Sequence, residues 1–194
     1  MKFIAALAAL TLVASPLHSE DLPPKVRAVA TWQLSANVGL AMALFETGGT
    51  DEVIRPIADK AFKAAQALDV KLPAPPEKSG KRAEDGAAIM KFLLQDCAKA
   101  IGEKVTKGAE ASLAEIGLKS GVLLIVYGPG DEAGKTIAKA IVERAKTAGL
   151  PETLTADLVK KIGDGAEFKD IRDSVLDLHE KINDHLVGIA KADR

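Results

Sequence analysis

The stretch GVLLIVYGPGDEAGKTIAKAI, residues 121–141, supports two readings that lead to different folds. In one, an apolar strand runs into a glycine loop, and Gly134-Lys135-Thr136 opens a helix. That layout is a phosphate-binding loop, in which backbone N–H groups and a lysine surround phosphate oxygens at a helix N-terminus. In the other, one helix ends, the chain turns, and a second helix begins near Asp131.

The residues favour the second reading. A phosphate loop ending in Gly134-Lys135 needs its first glycine at position 129, where Pro129 stands; five residues lie between Gly128 and Gly134, one too many. Asp131 and Glu132 would stand inside the cradle and repel phosphate. The apolar run before the glycines matches Gly39–Phe45, which reads as helix. No alternating strand segments occur elsewhere to build the parallel sheet that such a loop requires. The chain reads as all-α.

Working outward, the same stretch belongs to a repeat. ANVGL, residues 36–40, aligns with AEIGL, residues 114–118. Asp51 and Glu52 align with Asp131 and Glu132, and Ile57, Ala58 and Ala65 with Ile137, Ala138 and Ala145. KRAEDGA, residues 81–87, aligns with KKIGDGA, residues 160–166. The offsets stay between 78 and 80 residues, so four blocks recur in one order with only small insertions. We read two duplicated three-helix units, residues 20–105 and 106–194, forming one compact helical bundle about a pseudo-twofold axis.

Helical periodicity places the elements. Helix one is expected over 24–45, helix two over 51–68, and a Pro-rich connector over 72–80. Helix three follows over 85–105, helix four over 109–127 and helix five over 131–148. A short extra helix lies after Thr155 and ends near Ile162. The last helix runs over 167–190, where Phe168, Ile171, Val175, Leu178, Ile182, Leu186 and Ile189 form one apolar stripe. Asp164 with Glu167 fits a capping box at its start. Helices one and four are the least polar, which is the property of central helices. Gly39 with Ala43 and Gly117 with Gly121 offer flat surfaces one turn apart, so these two helices are expected to cross at the centre.

Residues 1–19 have the layout of a secretory signal peptide: Lys2, the apolar run Phe3–Ala14, then Ser15, Pro16 and small residues up to Ser19. Removing Lys2 leaves 25 basic against 27 acidic residues, a net charge of about −2 spread along the chain. Such a balance lacks the basic face that nucleic acid or anionic lipid would need. Past the signal peptide no stretch reads as a membrane span, so no stable membrane insertion is expected after cleavage. Cys97 is the only cysteine, so stability rests on packing rather than disulfides. The expected location is the periplasm or the extracellular medium.

Candidate sites are few. His179 and His185 lie six residues apart on one helix, about 120° from each other, and read as surface or boundary residues rather than a metal pair. Asp173, Asp177, Glu180 and Asp184 have the spacing of a solvated helix face. Cys97, among Phe92, Leu93 and Ile101, reads as a small core residue. Trp32 is placed to close a groove between the repeats, and Tyr127 to end helix four with its hydroxyl in water.

The repeated basic string is the main binding candidate. Lys81, Arg82, Lys160 and Lys161 precede expected helix starts, with Asp85 and Asp164 as N-caps and Gly86 and Gly165 easing the turns. Free N–H groups and basic side chains there would bind an anion once per repeat. Against this, each aspartate already occupies the anion's place. No catalytic residue, metal site or cofactor is assigned. The expected function is an exported binding or interaction module for a protein or small molecule, with a groove at the internal dyad. A carboxylate- and lysine-based enzyme and a structural homo-oligomer, such as a homodimer, remain the alternatives.

Overall fold

The computed structural model describes residues 22–105, 108–125 and 131–192. The expected signal peptide, Tyr127 and the glycine turn before Asp131 lie outside them. Among the described residues there is no strand, and the helices follow the expected order. We label α1 Pro24–Glu46 and α2 Asp51–Ala67. The third helix, α3, joins Arg82–Lys91, a wider π segment Phe92–Cys97 and Ala98–Gly102. Then come α4 Gly108–Ile125, α5 Asp131–Thr147, α6 Glu152–Gly163 and α7 Phe168–Lys191.

The centre is the crossing of α1 and α4. Both helices are buried on several faces: Val29–Trp32 and Leu34–Gly39 in α1, and Ser112–Ala114, Ile116–Leu118 and Ser120–Ile125 in α4. α1 has the length and composition to cross a membrane, yet 67% of that apolar window is buried within the protein. The two helices run in the same direction. Arg27 bonds Glu110 at 2.8 Å near both N-termini, and further along Gly39 meets Gly117 and Gly121.

Glycine sets the closeness of that contact. A Cβ on Gly39 would stand 2.7 Å from the Gly117 carbonyl oxygen, and one on Gly121 would stand 2.4 Å from the Gly39 Cα. A Cβ on Gly117 would meet the Ala36 nitrogen at 2.5 Å. The atoms met are mostly main chain, so two backbones touch where side chains would ordinarily hold them apart. Among the described residues the centre is filled, and no groove opens where α1 and α4 touch. Trp32, expected to close a groove between the repeats, is instead 2% exposed.

Each side of this helix pair carries its own core. On one side α2 and α3 pack Ala61, Ala65, Leu68, Ile89, Leu93 and Ile101 against Leu34, Val38 and Leu118. On the other, α5, α6 and α7 pack Ile141, Leu158, Ile171, Val175, Leu178 and Ile182 against Trp32, Leu113 and Ile116. α7 contributes the stripe read from sequence, apart from Ile189, which is 37% exposed.

The π segment follows from the spacing of apolar residues in α3. Ile89, Leu93, Cys97, Ile101 and Val105 recur every four residues and are all buried. A step of four overshoots a helical turn by about 40°, so in an ideal α-helix the stripe would wind about 160° around the axis. The wider π turn takes back much of that drift and keeps the five residues on one side.

Several helix boundaries differ from expectation: α6 begins at Glu152 rather than after Thr155, α3 ends at Gly102 rather than Val105, and two starts are displaced. α3 begins at Arg82 with Lys81 as N-cap, so Asp85 sits inside the first turn. Asp164 is the C-cap of α6, and the N-cap of α7 is Glu167, without a side-chain cap bond. The capping box is therefore absent. Gly165, at φ +67°, turns the chain so that the Ala166 N–H donates to the Lys161 carbonyl at 2.9 Å. Residues 164–166 are used to end one helix, not to begin the next.

Candidate functional site

The two basic strings occupy opposite helix poles. Lys81 and Arg82 stand at the start of α3, whereas Lys160 and Lys161 stand in the last turn of α6. A helix C-terminus presents carbonyls and attracts cations, so the second string suits the end of α6 and not an anion. In the first, Asp85 accepts the Ser79 N–H at 2.7 Å and the Gly80 N–H at 3.2 Å. The Ser79 bond, more than any other contact, holds this carboxyl below the usual range. Lys81 pairs with Glu84 at 2.9 Å. The aspartate takes the amides that an anion would use, and Gly86 stands one turn inside the helix beside it. The structure thus does not bring the residues of the two strings together.

The phosphate-loop reading fails on position. Gly134 lies inside α5, where a Cβ would come 2.1 Å from the Phe168 ring. The glycine makes room for α7. Lys135 pairs with Glu132 at 3.6 Å, and the Thr136 hydroxyl donates to the Glu132 carbonyl at 2.7 Å.

Of the two side chains with the most reactive chemistry, Cys97 is fully buried in one core and His179 is half-buried against the other. Burial, with Asp96 as a lesser cause, pushes the Cys97 thiol up to about 12. His179 sits edge-on to Trp32 with ring centroids 5.0 Å apart, and burial lowers it to about 4. Its Nε2 is buried with no hydrogen-bond partner among the described residues. The ring is neutral at neutral pH, and the thiol is protonated. His185 is half-buried, while Asp173, Asp177, Glu180 and Asp184 are all exposed, as a solvated face requires.

A partly exposed polar link ties α6 to α7. The Ser174 hydroxyl donates to Asp157 at 2.5 Å, and Lys161 stands 3.4 Å from the same oxygen. The Ser174 bond is the main cause that lowers the Asp157 carboxyl, with Lys161 and Lys181 adding to it. This arrangement stabilises a carboxylate and leaves the serine as a donor, not a nucleophile.

The structure opens elsewhere. A cavity of about 270 Å³ lies between the second half of α3 and the first half of α4. Its small residues are Ala98, Gly102, Ala111 and Ala114, and these leave the space. Leu94, Ile101, Val105 and Leu118 make its apolar walls, with Leu94 45% exposed at the mouth. Glu115 and Lys119 complete the lining. One Glu115 oxygen accepts both Lys119 Nζ at 2.7 Å and Arg144 Nε at 2.8 Å.

Sequence reading missed this slot because it arises from two features of different helices. The π turn in α3 sets where Leu94 and Ala98 point. The pairing of Glu115 with Arg144 joins α4 to α5 across a gap that no local motif announces. The signal available was the row of small residues, which the sequence also carries in many closed contacts. No protein-family model, curated protein or solved structure matches the chain.

Proposed function

We propose that this chain is an exported binding or interaction module, and that the slot between α3 and α4 receives its ligand or partner. The observation that carries this reading is the slot itself: a half-open, mostly apolar cavity with a small polar edge, slightly smaller than the roughly 300–1,000 Å³ of most ligand sites. The apolar run 3–14 supports export through a signal peptide of residues 1–19, leaving the protein in the periplasm or the medium.

The same proposal includes the duplication. Gly39 and Gly117, 78 positions apart in the repeat alignment, face each other across the centre. α2 and α5 close with the same bond 80 positions apart, Val70 N–H to Ala65 O and Leu150 N–H to Ala145 O. Both support two related units, 20–105 and 106–194, about a pseudo-twofold axis.

Native mass spectrometry of protein isolated from its own host compartment tests the reading. A bound small molecule or partner is the expected result, and a clean apo monomer would count against it. The structural homo-oligomer is the second reading, favoured by the filled centre, and concentration-dependent sedimentation would reveal it. An enzyme using carboxylates would want one raised in pKa. Asp85 and Asp157 both shift the other way.

A further inference from the structure

We infer that the slot takes a short-chain anionic amphiphile, its alkyl chain between α3 and α4 and its acidic head beside Lys119. This rests on the binding reading above and names the ligand class. The size sets the chain: at about 30 Å³ per water-sized atom, the 270 Å³ cavity holds roughly nine heavy atoms. The walls set its character. Leu94, Ile101, Val105 and Leu118 offer no hydrogen bond from their side chains, so a polar body would lose its water without replacement.

The edge sets the charge. Glu115 is shared by Lys119, which lines the slot, and by Arg144, which lies outside the lining, so the triad carries a net charge of +1. An anion arriving at Lys119 completes the neutralisation, whereas a cation meets an excess of its own sign. The Lys119 side chain is 26% exposed, so the preference is partly screened and amounts to about fivefold in affinity.

The test uses the purified protein, with octanoate and octylammonium as probes below their aggregation concentrations. Amide NMR shifts of Ala98, Gly102, Ala111 and Ala114 report occupancy. Octanoate is expected to shift these amides saturably, with a Kd on the order of 1 mM for so small a ligand, and octylammonium to bind at least about fivefold more weakly. Glu115→Gln removes the negative member of the triad and should tighten octanoate, while Lys119→Gln should weaken it. Gly102→Leu should abolish the shifts with the helix signal unchanged, because a Cβ there meets nothing within 4 Å among the described residues and the side chain has room to fill the slot. Octylammonium binding as well as octanoate would overturn the anionic head and leave the binding reading standing. If neither probe moves these amides, or Gly102→Leu leaves the shifts intact, the slot is not the site and both readings lose their support.

Discussion

Gly121→Ala should unfold this protein more readily, although the same exchange stabilises most helices. The added carbon would stand 2.4 Å from the Gly39 Cα and 2.8 Å from both its carbonyl carbon and oxygen. Carbon atoms pack at about 3.5–4.0 Å, so the central backbones must part by about 1 Å. Overpacking costs about 1–3 kcal/mol, and the upper end applies because no flexible side chain can give way. Replacing glycine by alanine within a helix returns about 1 kcal/mol. The net loss is therefore about 2 kcal/mol, or a fall of about 4–8 °C in Tm for a domain of this size. Urea unfolding followed by helical circular dichroism and by Trp32 fluorescence measures it. Gly188→Ala serves as the control, since a Cβ there meets nothing within 4 Å among the described residues, and it should be neutral or stabilising by up to about 1 kcal/mol. A Gly121→Ala protein as stable as the parent, beside a control that behaves as expected, would refute the close central contact.

Three further outcomes are expected. His179 is lowered to about 4 in the fold, so the unfolded chain binds the proton first as pH falls below about 6.5. Stability should decline between those values by up to about 3 kcal/mol, and His179→Gln should show a shallower acid slope in urea midpoints measured across that window. Ser174→Ala should lose about 1 kcal/mol by urea unfolding and let the Asp157 carboxyl rise toward its ordinary value, read by carboxyl-carbon NMR titration. Cys97, fully buried and pushed up to about 12, should resist thiol reagents in the folded protein and react as soon as urea unfolds it; rapid labelling without urea would contradict its burial.

Much of this architecture was legible because helical periodicity is a local signal. The bounds of α1, α2, α5 and α7 fall within one or two residues of those read from apolar spacing. The glycines of α1 and α4 were legible as a contact, because small residues one turn apart in two apolar helices can seat against each other. What escaped depends on competition between neighbours. Asp164 has the chemistry of an N-cap, but the left-handed Gly165 behind it commits the segment to closing α6. Asp85 likewise looks like an N-cap, yet the helix extends back to Arg82 and the carboxylate reaches the Ser79 and Gly80 amides before it. His179 reads as a surface or boundary residue and is half-buried, but its ring contact was not legible. Only the packing of α7 on α1 brings it against Trp32 and buries Nε2. The slot could not be read from sequence, since its mouth, small lining and charged edge come from different helices.

The contact between α1 and α4 is measurable directly as the nuclear Overhauser effect linking the Hα protons of Gly39 and Gly121. Backbones in main-chain contact should give a strong cross-peak, with a second between Gly117 and Ser35 or Ala36. Fully assigned spectra with no cross-peak at either place would mean that side chains separate the two helices and that the centre of this fold has been described wrongly.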